Sequence, residues 1–204
     1  DVKGNPTGEF GPARPITYAE IAKMALEASG DGQATGAFTV KNRRSRNHWA
    51  KGYVRVMEDL RASVYTDRLN IDTSASRGAV MQTIVEVLGI TDQPPRPAAP
   101  AVTGSGALAG SGTALGGSGT SVTGSGSVAP PAAAVEIAPA ITFSDLPKDH
   151  KHAEAIMLLV KKGVISGDTK KDGSPKGTVR PNAPINRAEV SKIFTKLIQL
   201  KFVK

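Results

Sequence analysis

One phrase occurs twice in this chain. Residues 8–23 read GEFGPARPITYAEIAK and residues 177–192 read GTVRPNAPINRAEVSK; they align without a gap at an offset of 169, with Gly, Pro, Pro, Ile, Ala, Glu and Lys in register. A repeat of this kind means a fold assembled from copies of one supersecondary unit, none of which buries its apolar face alone. Both copies carry a capping-box pattern at the start of a helix, Thr17 with Glu20 and Asn186 with Glu189. The apolar residues that follow recur at helical spacing. They are Ile21, Met24, Ala25 and Ala28 in the first copy, and Val190, Ile193, Phe194, Leu197 and Leu200 in the second.

A further helix precedes the later phrase, with Ala153, Ile156, Leu159 and Val160 on one face and Gly163 as its natural stop. The middle of the chain holds another pair. Trp49, Tyr53, Val56, Met57 and Leu60 line one helix, and Val80, Ile84, Val87 and Leu88 the other. The unit is therefore helix, loop, helix, and the early copy consists only of the loop and second helix. Between 92 and 140 the composition changes: Asp92, Arg96 and Glu136 are the only charges, and Gly-Ser-Gly recurs through VTGSGALAGSGTALGGSGTSVTGSGSV. Such a stretch buries too little apolar surface to offset its ordering entropy and is expected to be a flexible linker with stiffer Pro/Ala flanks. The expected divisions are 1–29, 38–91, 92–140 and 141–204.

The formal charge of +8 and the pI near 9.8 point to an acidic partner, whether nucleic acid, anionic glycan or membrane surface. The run KNRRSRNHWAK, residues 41–51, contains no acid. It accompanies no nucleic-acid motif and little aromatic interleaving, so nucleic acid is not the expected partner. No apolar run approaches the ~20 residues that span a bilayer. Without cysteine the chain has neither disulfides nor thiolate metal sites. The opening DVKGNPTGEF is loop-like and no signal peptide precedes it, which reads as a mature or truncated product. A calcium loop from Asp168 fails because Lys170 and Val179 fall at ligand positions. No nucleophile–base–acid group and no phosphate loop emerges, so neither enzyme activity nor a cofactor is expected.

The stretch FSDLPKDHKHAEAIMLLVKKGVISGD, continued by GTVRPNAPINRAEVSKIFTKLI, resembles an S-layer homology (SLH) motif. Its matching features are Phe143 and Asp145, His152-Ala153 where the family has Trp-Ala, Gly163 through Gly167, Val179 and Pro181. Asn186-Arg187-Ala188-Glu189 stand at the family's Thr-Arg-Ala-Glu. The middle copy is similar through His48-Trp49-Ala50 and Ser76-Arg77-Gly78, with Ala79 replacing the Glu. The early copy resembles half a motif, with Tyr18 in place of the Arg.

The resemblance implies a mainly α fold of helix-loop-helix repeats in a pseudo-threefold bundle, first helices central and second helices outside. It further implies grooves between neighbouring motifs that bind an acidic cell-wall glycan, in the family often bearing a pyruvyl ketal. Under it the glycan-binding residues are Arg187, Asn186, Arg77, Ser76, Thr17, Trp49 and His152. A guanidinium binds a carboxylate through two parallel hydrogen bonds, and a helix start adds free N–H groups. Other readings stay open: Glu20 and Glu189 as structural caps, Arg77 and Arg187 as solvated arginines, Trp49 and His152 as packing residues, and His48 and His150 as exposed. The function implied is non-covalent anchoring to the bacterial envelope. The partner is then an acidic wall polysaccharide or peptidoglycan-linked polymer, outside the cytoplasm. The alternative is a structural subunit of an S-layer or surface filament. With the early motif lacking its first helix, Val56, Leu60, Ile156 and Leu159 are expected to face an open side and to favour self-association or helix exchange.

Overall fold

The computed structural model describes residues 8–92 and 142–203, so the tract read as a linker, apart from Asp92, lies outside it. The described residues are mainly helical. In chain order they form α1 (Tyr18–Ser29), a single 3-10 turn (Arg43–Ser45), α2 (Lys51–Asp59), α3 (Arg77–Val87), α4 (Ala153–Lys161) and α5 (Arg187–Gln199). Among them β-pairing is confined to isolated bridges. No helix among the described residues is long and apolar enough to cross a membrane.

The capping boxes are formed. Thr17 Oγ1 accepts the Glu20 N–H at 3.2 Å while the Glu20 carboxylate accepts the Thr17 N–H at 2.9 Å. At α5, Asn186 and Glu189 make the same exchange at 2.9 and 3.1 Å. At α3, Ser76 accepts the Ala79 N–H, and Ala79 has no side chain with which to return the bond. Gly30 closes α1 at φ 87°, in the left-handed region that favours glycine.

The three helix starts of α1, α3 and α5 meet in a closed cycle. Ile16 N–H donates to the Ile185 carbonyl at 3.0 Å, Ile185 N–H to Ala75 at 3.2 Å, and Ala75 N–H to Ile16 at 2.8 Å. The first two N–H groups of each helix run round the cycle in the opposite sense. Tyr18 and Ala19 donate to Thr73 and Ile71, Arg77 and Gly78 to Ala183 and Pro181, and Arg187 and Ala188 to Arg14 and Pro12. A helix leaves its first N–H groups without intrahelical partners. Here each helix hands them to the loop that precedes a neighbour.

The helix packing departs from expectation. α1 packs directly on α3, while α2 packs on α1 and α4 on α3. The first helices therefore do not form the centre. The cause lies in the apolar faces: α3 buries Arg77, Gly78, Ala79, Val80, Met81, Thr83, Ile84 and Val87, nearly its full circumference, whereas α2 buries only Gly52, Tyr53, Val54 and Met57. The expected open side is likewise not seen at α4, where Ile156 and Leu159 are fully buried; Val56 is half-buried, and of the four residues only Leu60 is exposed.

Loops are pinned by single polar side chains. The Asp145 carboxylate accepts the N–H groups of Val179 and Arg180 at 2.9 and 2.7 Å. Beside it the Phe143 ring fills the space over Gly167, where a Cβ would lie 2.5 Å from Cε1. In the middle segment Asn42 does related work, donating to the carbonyls of Thr66 and Leu69 at 2.9 Å each.

Candidate functional site

The first residues of α5 and α3 point their side chains at the next corner of the cycle. Arg187 pairs with Glu20, the third residue of α1, and also donates to the Phe10 carbonyl at 3.0 Å. Arg77 pairs with Glu189, the third residue of α5. The same rotation assigns the remaining corner to Tyr18 and Ala79. The two departures from the family pattern thus fall in one place: the corner that lacks the arginine also lacks its glutamate. Burial raises the Glu20 pKa, but the Thr17 N–H and the Arg187 and Arg14 guanidiniums outweigh it and hold the carboxyl below its ordinary value.

A groove of about 840 Å³ opens between the start of α3 and the inner face of α5. Its cations are Arg77, Lys176, Arg180, Lys192 and Lys196, and its acids are Asp168 and Glu189. Both acids are engaged. Arg180 clasps Asp168 through Nε and Nη2 at 2.8 Å each, and Thr178 Oγ1 donates to it at 2.9 Å. The Arg180 bonds chiefly, with Thr178 assisting against burial, hold the Asp168 carboxyl below its ordinary range. Arg180 Nη2 also lies 3.6 Å from Glu189. Arg77 is 9% exposed, and its Nε is buried without a partner. The groove thus carries an excess of positive charge beside a buried, ion-paired Arg77, and that excess suits an anion.

The residues singled out from sequence divide by place. Arg77 lines the groove; Arg187 sits at the next corner, between α5 and α1. Thr17, Ser76 and Asn186 are helix caps whose side-chain oxygens accept backbone N–H groups. Trp49 is half-buried, its ring edge-on to Tyr53 at 6.4 Å with Lys23 Nζ 6.0 Å from its centroid, and it does not line the groove. His152 is buried, with both ring nitrogens unpartnered, and packs on Gly78, where a Cβ would meet its Cδ2 at 2.9 Å. Burial, reinforced by Lys151 and His150 and opposed by Glu86, lowers its pKa to about 4.

His48 and His150, read as exposed, are half-buried and hydrogen-bonded at equivalent points. His48 Nδ1 accepts the Ala50 N–H at 3.1 Å and Nε2 meets Asp72 at 2.9 Å. His150 Nδ1 accepts the His152 N–H at 3.2 Å and Nε2 meets Asn182 at 3.1 Å. This sets the register of the two first helices: His152 corresponds to Ala50, and Lys151 to Trp49. Lys176, Arg180, Lys192 and Lys196 were not singled out from sequence. The signal available for two of them was the i, i+4 spacing of Lys192 and Lys196 on α5.

A protein-family model of the S-layer homology domain matches residues 2–22 and 142–171. Both stretches are similar to the S-layer homology domain, a type of domain that attaches proteins at the cell surface and binds wall polymers. Residues 38–91 lie outside both matches. No curated protein matches the chain.

Proposed function

We propose that this protein anchors non-covalently to the bacterial envelope by binding an acidic wall glycan in the groove between α3 and α5. The observation that carries this reading is the set of five groove cations against two acids that are both already engaged. Lys192 and Lys196, exposed at the groove, and Arg180 take the negative charge of the glycan, with Arg77 behind them. Segments 8–29, 38–91 and 142–200 act as three SLH units, the middle one divergent, in a pseudo-threefold arrangement supported by the cyclic bonding of Ile16, Ala75 and Ile185. The corner at Arg187 is a second candidate contact. The corner at Tyr18 and Ala79 offers neither arginine nor glutamate and takes no part in anion binding. No catalytic role is assigned to these residues.

The test is co-sedimentation with purified wall sacculi, before and after removal of acidic wall polymer. Wild-type protein should pellet only with polymer-bearing sacculi. Lys192→Ala/Lys196→Ala removes two exposed groove cations and should weaken binding by about 1–3 kcal/mol. Wild-type binding to stripped sacculi, or an unchanged affinity for Lys192→Ala/Lys196→Ala, would exclude the groove.

A second reading, as a structural subunit of a surface layer, draws on Ile198 and Leu200, which are 60% and 40% exposed on the last turn of α5 and just beyond it. Concentration-dependent assembly that is abolished by Ile198→Ser, with sacculus binding indifferent to wall polymer, would favour it.

A further inference from the structure

The groove leaves the most concentrated charge of the sequence unused. Arg43, Arg44 and Arg46, with Lys41 beside them, are all exposed, and among the described residues none of the four takes part in an ion pair. Arg77, Arg180 and Arg187, by contrast, each hold a carboxylate. The Glu58 carboxylate, which reaches the start of the turn, accepts the backbone N–H groups of Lys41 and Asn42 at 3.0 and 2.8 Å.

The turn beneath these side chains is held from both sides. Asn42 is 1% exposed. Its Oδ1 accepts from Arg44 N–H, Ser45 N–H and Ser45 Oγ at 3.0 to 3.1 Å, while its Nδ2 grips the Thr66 and Leu69 carbonyls. Ser45 is fully buried. The backbone is thus fixed by a buried polar knot, and the arginines on either side of Ser45 project from it. Three guanidiniums within four residues repel one another, and among the described residues none of the three is relieved by an ion pair.

We propose that the turn Lys41–Arg46 is a second polyanion-binding surface, separate from the groove, whose ligand is a linear polymer with phosphate or carboxylate charges repeated along its length. Guanidiniums on a fixed backbone, with no pocket around them, read charge spacing rather than the shape of one sugar. A lipid surface fits less well, because membrane-docking basic surfaces also insert apolar side chains. Among the described residues the exposed large apolar side chains are Phe10, Leu60, Met157, Ile198 and Leu200, none of them on the turn. Single-stranded nucleic acid needs aromatic faces for stacking. The nearby Trp49 and Phe38 are half-buried, with Trp49 edge-on to Tyr53 and Phe38 under Lys51 at 5.0 Å.

The test compares the full chain with the triple variants Arg43→Glu/Arg44→Glu/Arg46→Glu and Arg43→Gln/Arg44→Gln/Arg46→Gln, using inorganic polyphosphate of defined length as the probe. Both variants leave Asn42 and Ser45 intact, and the glutamine form decides the matter should the glutamate form fail to fold. The expected result is at least tenfold weaker binding. The slope of log affinity against log salt should become shallower by roughly 2–3, as for the loss of about three phosphate contacts. Lys192→Ala/Lys196→Ala, measured in parallel, separates the two sites: polyphosphate binding that depends on these lysines and not on the arginines would place the polymer in the groove and overturn the proposal. Unchanged affinity and salt slope in the glutamine variant would overturn the proposal. So would tighter binding to phosphatidylglycerol vesicles or to oligothymidine than to polyphosphate of equal charge.

Discussion

Arg187 and Arg77 begin their helices alike and bind the same kind of partner, yet their surroundings separate their roles. Arg187 is committed twice, to Glu20 and to the Phe10 carbonyl, in a half-buried setting. Arg187→Ala should therefore lower folding stability by about 1–3 kcal/mol, since it strands Glu20 among its capping bonds. Chemical denaturation measures this, and a loss under about 0.5 kcal/mol, typical of a surface site, would show the pair to be ornamental. His152 makes a pH prediction. Its imidazole takes a proton at about 6.5 when unfolded but only at about 4 when folded. The unfolded state thus binds more protons between those values, and stability falls as pH is lowered from 6.5 to 4, levelling off below. Glu20 and Asp168, whose folded pKa values are depressed, also lose their contribution on acidification, but around and below the ordinary carboxylate range. His152→Phe should flatten the melting temperature between pH 6.5 and 5 while leaving the steeper acid limb. An unchanged slope there would place the titration elsewhere.

At the scale of the helix, legibility followed sequence distance. The capping boxes at Thr17 and Asn186 were readable because donor and acceptor lie three residues apart. The pairs Arg187–Glu20 and Arg77–Glu189 span 167 and 112 residues, so nothing local announced them. The same applies to His48 and His150, whose partners stand 24 and 32 residues away. The apolar stripes identified which helices exist; which of them are central depended on how far round each helix the apolar surface runs, and α3 exceeds the stripe assigned to it. Gly78 shows what such packing does to a simple propensity argument. In an open helix Gly→Ala gains about 1 kcal/mol. Here a Cβ would meet His152 Cδ2 at 2.9 Å and the Pro181 carbonyl at 3.1 Å. Gly78→Ala should destabilise by about 1–3 kcal/mol. Adding His152→Ala should recover part of that loss, a coupling that a double-mutant cycle detects. A second cycle concerns the vacant corner: Tyr18→Arg with Ala79→Glu should be more stable than the sum of the single changes by about 0.5 kcal/mol or more.

For the molecule as a whole, the cycle through Ile16, Ala75 and Ile185 makes residues 8–92 and 142–203 one folding unit, because each corner borrows hydrogen bonds from the other segment. Cleavage at a protease site engineered between residues 95 and 140 should leave two fragments that co-elute on size exclusion and separate only in denaturant. Independent elution of two folded fragments would contradict this.

That closure also sets how the protein carries mechanical load. Traction entering at Gly8 reaches Ile16 and passes across its bond to Ile185, so the pull moves from the early segment to the late one without travelling through residues 93–141. A tether built this way yields first at the three paired helix starts.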